Sequence, residues 1–114
     1  MLTFSVNNKT FRPVSNVENG DVGEGTVFHY FQDGDIIQAD YAGGDVVMGH
    51  LVGKDLPSGQ LQFAYHHLNA AGDVMAGQCL STPEVLPDGR LRFHEAWQWL
   101  TGDRSKGTSV IEEV

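Results

Sequence analysis

The segment TVFHYFQDGDIIQADYAGGDVVMGHLVG, residues 26–53, decides the fold. Apolar and polar residues alternate along it with a period of two, which suits a half-buried pleated strand and no helix. Asp33-Gly34 and Gly43-Gly44 interrupt the alternation with dipeptides that readily take positive φ. The segment therefore reads as three strands joined by two tight hairpins.

The same grammar continues to the end of the chain. Pro57-Ser58-Gly59 leads to LQFAYHHL, Asn69-Ala70-Ala71-Gly72 to VMAGQCLS, Pro87-Asp88-Gly89 to LRFHEAWQWL, and Gly102-Asp103 to GTSVIEE. Before residue 26, LTFSV and KTFRPV are two further strand candidates and NVENGDVGEG reads as a loop. Pro13 places its strand at an edge or near its end. With no repeat or linker, residues 1–114 are expected to form one antiparallel β domain. A meander of about eight or nine strands buries one face best by curling into a sheet or closing into a barrel. Closed, it resembles calycin barrels such as lipocalins, or avidin-like barrels, in architecture.

Taking Asp33-Gly34 and Gly43-Gly44 as the two-residue turns pairs Tyr30 with Ile37 and Phe28 with Ala39, then Tyr41 with Val46, Ala39 with Met48 and Ile37 with His50. One face then carries Phe28, Tyr30, Ile37, Ala39, Tyr41, Val46, Met48, His50 and Val52, and is the expected interior. Alternation adds Leu61, Phe63, Tyr65 and His67 from one later strand, and Leu91, Phe93, Glu95, Trp97 and Trp99 from another.

Composition narrows the function classes. Seven Lys and Arg stand against fifteen Asp and Glu, a formal charge of −8, and the basic residues are scattered. No stripe is available for phosphates, so nucleic acid is not an expected partner. The acidity also disfavours anionic lipid, and no apolar run reaches the ~20 residues of a membrane-spanning helix. MLTFSVNNKTF lacks the basic start and apolar stretch of a secretory signal, and Cys79 is a single cysteine. Together these lead to the expectation of a cytoplasmic protein.

The interior set brings one carboxylate, Glu95, among aromatic residues. An ionised carboxylate between Phe93 and Trp97 is costly to bury unless paired, hydrogen-bonded or protonated. It serves either to orient a ligand or transfer a proton, or as a core carboxylate satisfied by a neighbouring side chain. Tyr41, Tyr65, Glu95, Trp97 and His50 are the candidate ligand-binding residues. His66 and His67 point to opposite faces and cannot chelate one ion together. His50, His67 and Glu95 meet only if their strands converge, and nothing in their spacing requires it, so neither a metal nor a cofactor is expected. Cys79 reads as a buried structural thiol.

SNVENGDVGEGTVFHYFQDGDIIQADYAGG (15–44), GHLVG (49–53), GQLQFAYHHLN (59–69), GQCLSTPEVLPDGRLRFHEAWQWLTGD (77–103) and GTSVIEE (107–113) together resemble a family of small bacterial proteins often named N-acetylglutamate synthase. That name implies acetyl transfer from acetyl-CoA to glutamate. Arg104-Ser105-Lys106-Gly107-Thr108-Ser109 has a superficial likeness to the pyrophosphate-cradling loop of acyl-CoA-dependent acetyltransferases. Such a loop needs a following helix, and only five residues remain after it.

The sequence is compatible with three functions. The first is a non-enzymatic barrel that holds a small molecule. The second is an enzyme, either the named transferase or one using Glu95 as acid or base. The third is an interaction protein whose open sheet edges form a homodimer.

Overall fold

The computed structural model describes residues 5–14, 22–23 and 25–114. Eight strands run through them: β1 (Lys9–Pro13), β2 (Val27–Asp33), β3 (Ile36–Gly43), β4 (Val46–Asp55), β5 (Leu61–Asn69), β6 (Val74–Val85), β7 (Leu91–Trp99) and β8 (Lys106–Glu113). Each pairs antiparallel with its sequence neighbours, and β1 pairs with β8, so the meander closes into a barrel. KTFRPV supplies β1, with Pro13 as its last residue. LTFSV and NVENGDVGEG fall largely outside the described residues. None of the described residues forms a helix long and apolar enough to cross a membrane.

Closure removes the sheet edges on which the expected homodimer rested, since every described strand has a partner on both sides.

Both early hairpins turn one residue later than the sequence suggested. The loops are Gly34-Asp35 and Gly44-Asp45, with Asp33 opposite Ile36 and Gly43 opposite Val46. Gly34 and Gly44, both at φ 62, take the first of the two central positions. In the β2–β3 pair the resulting register differs from the expected one by an even number, opposing Tyr30 to Ala39 and Phe28 to Tyr41. The faces therefore survive: Phe28, Tyr30, Ile37, Ala39 and Tyr41 are all buried.

Strand β4 corrects the expectation. Between Val46 and Gly49 it carries one residue more than either neighbour, as the register shifts against both β3 and β5 show. This bulge leaves Val47 and Met48 both outside and reverses the alternation beyond them. Gly49, Leu51, Gly53 and Asp55 therefore stand opposite the inward residues Tyr41, Ala39, Phe63 and Leu61. Met48, His50 and Val52, expected inside, face outward, with Met48 69% exposed.

The interior has two levels. Near the 34–35, 56–60 and 86–90 turns it is packed solid by Phe11, Tyr30, Ile37, Leu61, Leu91, Phe93 and Ile111. Phe11 stacks on Phe93 at 4.5 Å between ring centres, and Tyr30 meets both rings edge-on. Toward the 44–45, 70–73 and 100–105 turns the lining changes to Tyr41, Tyr65, His67, Trp97 and Trp99.

Candidate functional site

These larger aromatics fit because several of them face glycine across the sheet. Tyr41 lies opposite Gly49, Phe63 opposite Gly53, Tyr65 opposite Gly77 and Trp97 opposite Gly107. At Gly77 an added Cβ would collide with the Tyr65 ring, and at Gly107 it would come within 2.7 Å of the Trp97 ring. The Tyr41, Tyr65 and Trp97 rings therefore rest on bare backbone, close against the wall, while at Gly53 it is the Phe63 backbone that comes close.

With the rings held against the wall, a cavity of about 50 Å³ is left inside the barrel. Its aromatic lining is Phe28, Tyr41, Phe63, Tyr65, Trp97 and Trp99. Leu51, Cys79 and Val22 complete the apolar part, and Glu95 and Ser109 supply the polar part. Fully buried Thr26 secures the segment that carries Val22, donating a 2.9 Å hydrogen bond to the Gly43 carbonyl and accepting one from the Gly23 amide.

Glu95 sits in the middle of β7, with Ser81 of β6 directly opposite on one side and Ser109 of β8 on the other. Alternation between Phe93 and Trp97 points it inward, as the sequence indicated. Ser109 donates a hydrogen bond of 3.3 Å to Glu95 Oε1, the one side-chain bond this carboxyl has among the described residues. Burial raises the Glu95 pKa to about 7, while the Ser109 bond draws it back down. The hydroxyls of Ser81 and Tyr30, both fully buried, have no hydrogen-bond partner among the described residues. Burial holds Tyr30, Tyr65 and Cys79 well above their usual pKa values, and the charge of Glu95 adds to each shift.

Of the residues singled out from sequence, Tyr41, Tyr65, Glu95 and Trp97 come together on the cavity wall. His50 does not. The β4 bulge puts it outside, where its Nδ1 lies 2.9 Å from Asp40 Oδ1 and its ring faces His66. His50 and His67 thus occupy opposite faces of the sheet, and His50, His67 and Glu95 do not converge. His67 is buried, shares a 2.9 Å hydrogen bond with the Tyr41 hydroxyl, and meets Trp99 edge-on.

Phe28, Phe63 and Trp99 are interior residues by alternation but were not among the candidate ligand-binding residues, and neither were Leu51, Cys79, Ser109 and Val22. Leu51 was hidden by the bulge and Val22 by its loop. Ser109 was within reach, because a serine among inward positions of a short apolar strand invites the question of its partner.

Lys106–Glu113, the second half of the acetyltransferase-like segment with its continuation, is strand β8, so no helix N-terminus follows Arg104. The chain matches a family model described as Avidin-like protein over residues 4–114. No curated protein and no solved structure matches it.

Proposed function

The chain belongs to the avidin-like protein family, and on that premise we propose that it is a non-enzymatic barrel that binds a small ligand inside its aromatic end. The observation that carries this reading is the cavity itself, with an apolar aromatic wall and a few converging polar groups from Glu95 and Ser109. Tyr41, Tyr65, Trp97 and Trp99 supply contact area, and Glu95 orients the ligand. Space of about 50 Å³ takes a few waters or a group of three to five non-hydrogen atoms, which sets the size of the part that enters deepest.

Neither form of the enzyme alternative has a supporting observation. The anchoring loop and helix that acetyl-CoA would use are replaced by a turn and β8. Among the described residues Glu95 is hydrogen-bonded to the Ser109 hydroxyl alone, with no third group positioned to complete an acid–base relay.

Both tryptophans of the chain, Trp97 and Trp99, line the cavity, so intrinsic fluorescence reports its occupancy directly. A library of fragments with up to five non-hydrogen atoms is expected to contain members that change this signal saturably. Ser109→Leu, which fills the space with an apolar side chain, abolishes the response. Absence of any saturable change in the wild-type protein would overturn the proposal.

A further inference from the structure

We propose that the group bound deepest in the barrel is a small organic cation, a protonated amine or guanidinium, held between the Glu95 carboxylate and the tryptophan wall. This rests on the ligand-binding reading above and names the chemistry of that site.

Three observations point the same way. First, Glu95 is a buried carboxyl whose perturbation has two causes, burial and the Ser109 bond; no Lys, Arg or His contributes a compensating charge. A buried charge without a partner is strongly unfavourable, and the open space beside Glu95 is where a partner fits. Second, the hydroxyls of Ser81 and Tyr30, buried in the wall and the packed level next to the cavity, have no hydrogen-bond partner among the described residues. Ser81 lies directly across from Glu95, and Tyr30 is close enough to feel its charge. Buried polar groups are almost always satisfied, yet neither hydroxyl donates to Glu95, which leaves Ser109 as the carboxyl's one side-chain donor among the described residues. Ammonium and guanidinium groups consist of donors alone. Third, Trp97 and Trp99 lie 5.9 Å apart between ring centres on the cavity wall, with Tyr65 edge-on to Trp99 at 5.4 Å. Electron-rich faces attract a cation most strongly where water is excluded. The net charge of −8 adds a field that draws cations toward the protein.

A neutral hydrogen-bonding group would use the protonated form of Glu95, and a cation the ionised form, so pH separates them. A carboxyl half-ionised near pH 7 is ~3% ionised at pH 5.5 and ~97% at pH 8.5, which gives a cation about a thirty-fold gain in affinity across that range. The titratable groups facing Glu95 from other strands are Tyr30 on β2, Tyr65 on β5 and Cys79 on β6, all pushed upward by burial. Tyr41 and His67, hydrogen-bonded to each other, are the other titratable groups at this end, and both are present in wild type and Glu95→Gln alike.

The test uses ethylammonium and guanidinium against the neutral ethanol and acetamide, each titrated at constant ionic strength in amine-free buffer at pH 5.5 and 8.5. Tryptophan fluorescence and amide NMR shifts provide the readouts. Ethylammonium is expected to saturate the site, at least tenfold tighter than ethanol at pH 8.5 and about thirty-fold tighter than at pH 5.5. Glu95→Gln removes both differences. If that variant does not fold, the pH profile of the wild-type protein decides alone. Tighter binding of ethanol or acetamide, weakening as pH rises, would refute the cation while leaving the binding site intact. No binding by any of the four, with no response to the wider fragment library, would refute both.

Discussion

Replacing Glu95 with glutamine should make the protein more stable, and by an amount that depends on pH. The carboxyl has a pKa of about 7 in the folded barrel against 4.5 for an unperturbed glutamate. Below pH 4.5 both states hold the proton and Glu95 costs nothing. As pH rises from 4.5 toward 7 the unfolded chain releases its proton while the native state keeps it. Stability is therefore lost across this window and levels off above it. The difference of about 2.5 units corresponds to about 3 kcal/mol at the plateau. Glutamine preserves the volume and cannot ionise, so Glu95→Gln should match the wild type near pH 4.5 and exceed it at pH 8 by up to about 3 kcal/mol, or roughly 10 °C in Tm. Urea unfolding of both proteins from pH 4.5 to 9, in amine-free buffer, measures the difference directly. The exposed carboxylates Glu84, Asp88 and Asp103, held low by their hydrogen-bond partners, are common to both proteins and cancel. A difference that stays flat from pH 5 to 8 would show that Glu95 is paired or solvated in the folded state, and the site geometry would be wrong.

Other perturbations separate the inner wall from the outer one. Gly53→Ala places a Cβ against the Gln62 carbonyl and the Phe63 backbone, which cannot yield, and should cost about 2 kcal/mol or more in chemical denaturation. Gly77→Ala should cost about 1–3 kcal/mol and, by displacing the Tyr65 ring from its seat, reduce ligand-induced fluorescence changes. His50→Ala, on the outer face with only exposed Asp40 as ion-pair partner, should change stability by less than about 0.5 kcal/mol and leave ligand response unaltered. Cys79, buried and with its thiol held protonated, should resist a thiol-reactive dye at pH 8 until denaturant is added; prompt labelling of the native protein would contradict its place in the wall.

Much of the barrel is legible in the sequence because its hairpins are short and its strands alternate cleanly. Leu61, Phe63, Tyr65 and His67 on β5, and Leu91 through Trp99 on β7, lie on the expected face. The β2–β3 faces hold although the turn falls one residue later than the Asp-Gly dipeptide indicates, since an even change in register preserves the side on which each residue lies. Strand β4 failed for the complementary reason. VVMGHLVG alternates plausibly in either phase, and one bulged residue chooses between them. The signal that fixes the phase was present in Gly49 and Gly53, whose bare backbones are needed opposite Tyr41 and Phe63, but it becomes readable only once the register is known. The same holds for Ser81 and Ser109, which gain meaning through standing on either side of Glu95.

The closure of the barrel also carries a consequence for how it forms and breathes. Among the described residues, strand β1 is joined to β2 and to β8 by three residue pairs each, whereas the other ladders contain seven to nine. Its ion pair from Lys9 to Glu113 spans 104 positions of the chain. Joining ends that far apart costs about 2 kcal/mol more chain entropy than closing a ten-residue hairpin. The neighbouring hairpins can zip locally, so the β1–β8 seam is expected to be the last ladder to assemble and the first to part. Backbone amides along it should exchange with solvent faster than those of β5–β7. Each parting briefly turns the cylinder into a sheet with two bare margins, and what shuts it again is Phe11 returning to its stack on Phe93.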